Sequence, residues 1–403
     1  MLVLLLLFLA IPAAAQDWPQ WRGPQRDGSA TVTLPKSWPE KLELEWKVQV
    51  GTGHSSPLIV GDRIYVHTRR EDQEVAACLS LATGDTLWTQ NNTAPYTMNP
   101  AAYGHGKGPK STPLVHGNRL YTLGISGMLS CYDRHSGKLQ WRHDFAAEFP
   151  QTSPLYGTSM SPLVADGLLV VHVGGHDRGA LRAFDAATGE RRWSWEADGP
   201  GYTSPIAVEL DGVKQIVTQT QNFCVGVELA TGALLWRLPY STAYDQNIVT
   251  PVFFEQTIVF SGLDKGTFAV HPRKNGDTWT TKEIWSNPEI SMYMSSPVLD
   301  GHRLFGLSHK RRGQFFCLDA RSGKTLWTGP GRQGENASLT RAGDHLFLLT
   351  TNADLIIAPT SSKEFAPLAH YSVATTSTWA HPALLDTHIL IKDLETLALW
   401  SLK

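Results

Sequence analysis

Pairs of apolar runs separated by a short polar turn recur along the chain. Most pairs open with Ser or Thr before a proline, as in "SSPLIVGDRIYVH" (55–67) and "SSPVLDGHRLFGL" (295–307). Two β-rich runs around a tight turn are typical of a β-hairpin, and proline is tolerated at the start of a strand. Further copies lie at 111–123, 160–172, 203–217 and 249–260, and weaker copies at 337–349 and 381–392. The pattern predicts eight hairpins.

Two more apolar runs follow the hairpin in most copies, for example "QFFCLD" (314–319) and "KTLWTG" (324–329). Successive hairpins begin 42 to 56 residues apart. Four strands at this spacing are the repeat of a β-propeller blade. The sequence therefore predicts an all-β protein, an eight-bladed β-propeller of four-stranded antiparallel blades.

A second phrase, a small residue and glycine followed by tryptophan four positions after the glycine, lies in the predicted fourth strand. It reads "SLATGDTLW" at 80–88 and "DARSGKTLW" at 319–327. A large aromatic side chain on an outermost strand can fill the wedge between neighbouring blades. We therefore predict a structural role for these tryptophans, which are Trp88, Trp141, Trp193, Trp236 and Trp327.

The last repeat stops after "LALWSL" and lacks its fourth strand. The N-terminal segment "LELEWKVQV" (42–50) can supply it, because Trp46 lies 42 residues before Trp88, one repeat earlier. We predict that this strand closes the ring, removes an open sheet edge and gives Trp46 the same structural role. One propeller domain would then extend over residues 42–403.

The first 41 residues precede the propeller. Residues 1–15 combine an apolar run of about ten residues with three alanines, a pattern typical of a cleaved secretory signal peptide. Residues 16–41 contain "DWPQWRGPQRDGSA" outside any strand pattern, and we expect a strap across the ring rather than a partner-binding tail. The mature chain is expected in the periplasm or outside the cell, without a membrane span.

Composition narrows the function classes. The net charge is −2 and 18% of residues are charged, so nucleic acid is not an expected partner. Four cysteines are too few for a disulfide framework in 403 residues. Three of them, Cys78, Cys131 and Cys317, occupy the same place in different repeats, and we expect buried free thiols.

The phrase "AFDAATGERRW" (183–193) resembles the tryptophan-docking motif of pyrroloquinoline quinone (PQQ) repeats. Over essentially the whole mature chain, the sequence is similar to the PQQ-binding-like β-propeller repeat family. That family includes quinoprotein alcohol dehydrogenases and the propeller lipoprotein of the outer-membrane β-barrel assembly complex. Segments such as "WPQWRGPQRDG", "GHGKGPKSTP" and "TWAHP" resemble an exported bacterial subgroup without a settled activity.

The resemblance implies what a quinoprotein dehydrogenase would need. Its members carry an adjacent-cysteine disulfide over the quinone, a Ca²⁺ site of Glu, Asn and Asp, and an Asp base. This sequence has no Cys-Cys pair, no Cys-x-x-Cys-His haem motif and no dense carboxylate cluster resembling a Ca²⁺ loop. Ligands for a metal could still converge from distant blades.

Loops that enter the innermost strands of a propeller gather around one mouth of the axial channel. Residues three positions before each strand-opening proline, or its equivalent, should therefore form a ring. The predicted ring comprises His54, Lys110, Ser159, Tyr202, Ile248, Met294, Asn336 and Trp379. Trp379 is a candidate stacking surface for a planar ligand.

The loops between second and third strands open on the same face. They contain the basic segments "RRED" (69–72), "GHDRG" (175–179) and "HKRRG" (309–313), with Lys107, Lys110 and Arg332 near them in blade order. We expect a positive face that binds an anionic small molecule or an acidic partner protein; solvated surface loops are the alternative.

The sequence therefore favours a monomeric, exported binding scaffold with no catalytic or metal-ligating residue assigned. A PQQ-dependent alcohol or sugar dehydrogenase, with PQQ and Ca²⁺ as cofactors, is the alternative. A sugar- or polymer-binding module is a third hypothesis.

Overall fold

A computed structural model describes residues 16–145, 148–149 and 155–403 of the chain. The predicted signal peptide, residues 1–15, lies outside these described residues. The described residues form eight β-sheets, with short 3-10 helices at Pro100–His105, Ala243–Asp245 and Lys310–Arg312. The strands that precede the first complete blade are β1 (Ser29–Ala30) and β2 (Glu43–Gln49).

Each blade is one antiparallel sheet whose strands follow the chain from the innermost to the outermost strand. Blade 1 contains β3 to β6 (Leu58–Val60, Arg63–Arg70, Gln73–Ser80, Thr86–Thr93). Blade 2 contains β7 to β10 (Leu114–His116, Arg119–Leu123, Met128–Asp133, Leu139–Asp144). Blade 3 contains β11 to β14 (Leu163–Ala165, Leu168–Gly175, Arg178–Asp185, Arg191–Trp195). Blade 4 contains β15 to β18 (Ile206–Leu210, Val213–Gln219, Phe223–Glu228, Leu234–Pro239).

The second half of the ring repeats this order. Blade 5 contains β19 to β22 (Val252–Phe254, Thr257–Ser261, Thr267–Asn275, Thr278–Asn287). Blade 6 contains β23 to β26 (Val298–Asp300, Arg303–Ser308, Gln314–Asp319, Thr325–Thr328). Blade 7 contains β27 to β30 (Ala337–Ala342, His345–Thr350, Asp354–Pro359, Ala369–Ser372). Blade 8 contains β31 to β33 (Ala383–Leu385, His388–Lys392, Thr396–Ser401) together with β2. The predicted eight-bladed propeller is confirmed.

The N-terminal strand closes the ring as predicted. Strand β2 pairs antiparallel with β33, and Trp46 lies opposite Leu399. Blade 8 thus joins a strand from the beginning of the chain to three strands from its end. Backbone groups along this edge of β33 that would otherwise be open to another chain are paired within the molecule.

The repeated glycine and tryptophan meet between blades. The Trp193 indole of blade 3 covers Gly232 of blade 4, where an added Cβ would lie 2.5 Å from the ring, and Trp193 Nε1 donates to Leu229 O at 2.8 Å. Gly232 has φ +74°, a conformation that favours glycine. The same contact joins Trp46 to Gly84, Trp88 to Gly137, Trp141 to Gly189 and Trp285 to Gly323. Most repeats thus supply a glycine that packs against the tryptophan of the preceding blade and a tryptophan that packs against the glycine of the following blade.

Two blades depart from this joint. Blade 5 has a long β21–β22 hairpin, and the preceding Trp236 donates within its own blade to Gln215 Oε1 at 2.8 Å. Blade 7 lacks the glycine, and Trp327 Nε1 donates instead to Ser361 O at 2.7 Å. Trp285 fills the joint to blade 6, and the greater length of the blade 5 repeat displaces it from the spacing that predicted the other tryptophans.

The apolar core lies mainly between neighbouring sheets. One cluster joins Val170 and Trp193 of blade 3 to Ile216 of blade 4. Five other clusters each bridge two neighbouring blades, and a larger cluster joins blades 7, 8 and 1. All four cysteines are buried and free, which confirms the expectation of buried thiols. Neighbouring sheets pack face to face at about 10 Å. The apolar core is therefore divided among the interfaces between blades.

Candidate functional site

Residues 16–30 lie across the inner strands and bond the middle of β3, the middle of β7 and the end of β27. Trp18 pairs with Ile59, and β1 runs parallel to the end of β27, with Ala30 opposite Ala342. The predicted mouth residues precede the inner strands, so they lie on the opposite side. The segment, which we call the strap, therefore crosses the axial channel below that mouth.

Two arginines of the strap enter the channel. Arg26 donates to Ser161 O at 2.6 Å, to Pro162 O at 2.9 Å and to Pro205 O at 2.7 Å. Arg22 donates to Pro297 O and, at 3.0 Å, to the strap's own Asp27 O. These carbonyl groups of Ser161, Pro162, Pro205 and Pro297 precede the inner strands of three blades, so the two guanidinium groups join those blades at the axis.

Trp21 of the strap forms the floor of a cavity at the mouth. Its Nε1 donates to Thr250 Oγ1 at 3.1 Å, and its ring meets the His381 ring edge-on at 4.5 Å. The side chain lines a cavity of about 520 Å³, a volume in the range of small-molecule sites. The sequence signal for Trp21 was its place outside any strand pattern.

The cavity brings together most of the residues predicted from the loop positions. It is lined by His54, Lys110, Ser159, Tyr202, Ile248, Met294 and Trp379. Two predicted residues lie elsewhere. Asn336 is buried with only 4% of its surface exposed and is not part of the lining. Arg332 is exposed, and its backbone N–H donates to Arg311 O at 3.0 Å, outside the lining.

Other lining residues were missed because only one residue was taken from each loop. They include His105 from the 3-10 helix between blades 1 and 2, and the aromatic side chains of Tyr156, Tyr244 and Tyr293. The Tyr293 hydroxyl bonds the Gln246 side chain, and Tyr202 Oη accepts from Tyr156 N at 3.2 Å. Burial raises the pKa of Tyr202, which keeps its hydroxyl neutral.

Three basic side chains lie along one wall. Lys110 Nζ donates to Tyr156 O at 2.5 Å, and burial lowers the pKa of Lys110 to about 8. Burial and then the Lys110 charge lower the pKa of His54 to about 3, and the same two causes lower the pKa of His105. Trp379 lies beside both imidazoles, at 5.5 Å from His54 and 5.0 Å from His105 between ring centroids. Lys110 is therefore the cationic group of this wall at neutral pH.

The basic loops of the same face have partners of their own. Arg69 is buried and donates to Ala94 O at 3.0 Å. His309 lies 3.0 Å from Asp264, and His176 lies 3.6 Å from Asp245. The positive face therefore stays a prediction for the exposed basic side chains, such as Lys107, whereas these three contribute to the structure of the rim.

The oxygen donors of the cavity do not suit a hard divalent cation. Lining residues in the described part of the chain supply tyrosine and serine hydroxyls and the Gln246 amide, but no carboxylate. Groups of three or more His, Cys, Asp or Glu side chains suited to a metal are absent from the described residues. Calcium sites in proteins rely on carboxylates. The aromatic walls and Lys110 suit a flat anion, whereas the residues present do not fit the Ca²⁺ of a quinone–metal pair.

The docked tryptophans, the ring of eight blades and the cavity at the channel mouth define a propeller of the quinoprotein type. The chain belongs to the family described as outer membrane protein assembly factor BamB, whose model matches residues 71–329. In the described residues, no helix is long and apolar enough to span a bilayer.

Relatives in sequence fall into two groups. The chain is similar to the outer membrane protein assembly factor BamB of Shewanella oneidensis, with 24% identity over 311 residues covering 73% of this chain and 75% of that protein. It is also similar to methanol dehydrogenase [cytochrome c] subunit 1 of Paracoccus denitrificans, with 24% identity over 383 residues. That match covers 88% of this chain but 53% of the dehydrogenase. A quinone alcohol dehydrogenase subunit of Gluconobacter oxydans is matched over 41% of its length.

Solved structures of both kinds share this fold. A europium-containing methanol dehydrogenase superposes with a TM-score of 0.71 at 12% identity, covering 96% of this chain and 98% of that one. BamB from Moraxella catarrhalis superposes with a TM-score of 0.64 at 12% identity, covering 90% and 98%. At this identity the likeness shows the shared fold alone.

Proposed function

We propose that this protein acts by binding, as an exported scaffold that takes a small ligand, or a side chain of a partner protein, into the cavity at the mouth of its channel. The observation that carries the proposal is the composition of the cavity. Aromatic side chains and Lys110 converge there, while the described lining lacks a carboxylate that would ligate a hard metal ion. Such a site is suited to recognition.

The family supports a binding role. One relative, matched over 73% of this chain and 75% of its own length, is named as an assembly factor, and a propeller of that kind could offer its cavity face to another protein. An anionic small molecule or an acidic partner would meet Lys110 and the exposed basic side chains of the rim. We expect the mature chain to be a monomer in the periplasm or outside the cell.

A PQQ-dependent alcohol or sugar dehydrogenase is the second candidate, favoured by the flat aromatic walls and by the dehydrogenases among the relatives. PQQ would supply the two-electron redox chemistry, and Trp21, Trp379 and Lys110 are the residues that would hold its rings and a carboxylate. A sugar-binding role, the third hypothesis, would use the same aromatic surfaces.

The deciding experiment is calorimetric titration of the purified mature protein with PQQ, with and without Ca²⁺, followed by a dye-linked assay with alcohols and aldoses. The binding proposal predicts no Ca²⁺-dependent turnover of any substrate. Tight Ca²⁺-dependent binding together with substrate-dependent dye reduction would replace it with the dehydrogenase.

A further inference from the structure

The joint between blades 4 and 5 is built differently from the joint between blades 3 and 4. Trp236 covers Gly226 of its own blade, the residue opposite it on β17, where an added Cβ would lie 2.3 Å from the indole. The residue opposite Trp193 is Ala183, whose methyl group occupies this place. Blade 5 offers no docking glycine in return, because a Cβ added at Gly276 of its outer hairpin turn would have no neighbour within 4 Å. The Trp236 indole therefore stays on blade 4 and leaves the turn of blade 5 uncovered.

A cavity of about 540 Å³ lies in this joint, near the end of β18 and the start of β21. We call it the inter-blade cavity. Leu238 and Tyr240 line it from the blade 4 side, and Phe268 and Val270 line it from blade 5. It shares no lining residue with the cavity at the channel mouth, and its volume is in the range of small-molecule sites. The two cavities are therefore separate.

Contacts within and between the two blades hold the walls of the inter-blade cavity. The Tyr240 and Phe268 rings meet across the joint at 5.6 Å between centroids, and Phe268 lies 5.7 Å from Phe260 of its own blade. The long β21–β22 hairpin is fixed to blade 4, because Lys274 N donates to Asp211 Oδ2 at 2.7 Å. A ligand would therefore meet walls that are already in place, which reduces the cost of ordering them on binding.

Two opposite charges line the inter-blade cavity without partners among the described residues. Lys265 lies two residues before β21, and Glu283 of β22 lies opposite Val270, five residues further along the chain. Both side chains are exposed and have no ion pair or side-chain hydrogen bond within the described part of the chain. Five residues at about 3.3 Å each separate the two positions by at most about 17 Å along the strand. The charges are too far apart to pair with each other, so each can pair with a ligand.

We propose that the inter-blade cavity is a second binding site and that its ligand is a short peptide with free termini. The peptide places its ammonium group at Glu283, its carboxylate at Lys265 and an apolar side chain between them, against Phe268. An extended tripeptide spans about 10 Å, which suits two charges separated along a strand better than the adjacent charges of a single amino acid. This inference goes beyond the proposed function, because the cavity at the channel mouth takes no part in it.

The test uses the tripeptide Ala-Phe-Ala in calorimetric titrations of the mature protein. Its N-acetyl form lacks the ammonium group, its C-terminal amide lacks the carboxylate, and Ala-Ala-Ala lacks the aromatic ring. We expect each end-blocked form to bind about three- to fivefold more weakly, the contribution of an exposed ion pair. Ala-Ala-Ala should bind about tenfold more weakly, because it buries less apolar surface.

Matched variants assign each end of the peptide to one side chain. Glu283→Gln should weaken Ala-Phe-Ala about three- to fivefold but leave the N-acetyl form unaffected, because that form has no ammonium group. Lys265→Gln should weaken the free and N-acetyl peptides but not the amide. Lys363→Gln and Glu364→Gln, exposed between β29 and β30 of blade 7, should leave all affinities unchanged. Circular dichroism and the thermal midpoint of each variant report whether the fold is retained.

Three results would overturn the inference. The first is absence of Ala-Phe-Ala binding to the wild-type protein at millimolar concentration. The second is wild-type affinity in both folded variants, Glu283→Gln and Lys265→Gln, which would place the peptide elsewhere on the propeller. The third is equal weakening of the free and N-acetyl peptides by Glu283→Gln. None of these results bears on the proposed function, because that function is tested at the channel mouth with PQQ and substrates.

Discussion

The joint between blades 3 and 4 offers a quantitative test of how the glycine–tryptophan phrase works. In Gly232→Ala the new methyl group would lie 2.5 Å from the Trp193 ring, at a backbone φ of +74°. The left-handed conformation costs about 1–2 kcal/mol for a residue with a Cβ, and overpacking of this kind costs about 1–3 kcal/mol more. The expected loss in the free energy of unfolding is therefore about 2–5 kcal/mol.

Blade 4 contains its own control. Gly212 has φ +73° in the hairpin between β15 and β16, and an added Cβ there has no neighbour within 4 Å. Gly212→Ala should therefore cost only the conformational part, about 1–2 kcal/mol. Urea denaturation followed by circular dichroism measures both losses. This signal reports backbone structure and not tryptophan fluorescence, so it also serves for variants in which Trp193 is replaced.

A double-mutant cycle then isolates the contact. In a Trp193→Ala background, Gly232→Ala should cost no more than Gly212→Ala, because the ring that its methyl group meets is gone. Equal losses for the two glycine variants in the wild-type background would refute the reasoning. So would a cost of Gly232→Ala that stays undiminished when Trp193 is alanine.

Four further outcomes are expected. Deletion of residues 16–50 removes the strap and β2 and should abolish the cooperative thermal transition, so an unchanged melting curve would contradict ring closure. Arg26→Gln leaves three backbone carbonyl groups with fewer donors and should lower the thermal midpoint, whereas Arg191→Gln, an exposed control in β14, should not. Because burial lowers the pKa of Lys110 to about 8 from 10.5, the unfolded chain binds more protons between these values. Stability should therefore rise from pH 8 to pH 10.5 more in the wild type than in Lys110→Met, and anion binding should weaken as pH rises through 8. All four cysteines should resist a thiol reagent in the native protein and react fully in denaturant, since they are buried.

The blades were predictable because a propeller is built from local repeats. Each hairpin and each glycine–tryptophan pair is encoded within one repeat, so its spacing in the chain reports its place in the ring. Ring closure by Trp46 followed from the same spacing, although its partner Leu399 lies at the far end of the chain. The diverged fifth repeat hid Trp285, since its longer hairpin shifts the tryptophan out of step.

The candidate site was only partly predictable, because it is assembled from many loops. Position relative to the inner strands was enough to predict that His54, Lys110 and Trp379 line the cavity. It was not enough to predict the place of Asn336, whose side chain is buried away from the lining, or of Arg332, which is exposed outside it. Loop conformation decides the direction of a side chain, and sequence position does not encode it.

The sequence by itself determined the architecture: eight antiparallel blades, closure by an N-terminal strand and buried free thiols. These features depend on short-range patterns of apolar residues, turns and repeat spacing. Only the tertiary structure placed Trp21 beneath the cavity and Arg22 and Arg26 at the axis, because these residues act through contacts with blades 130 or more residues away in the chain. The strap lies outside the repeats, so its contacts have no periodic signature and become visible only once the ring has formed.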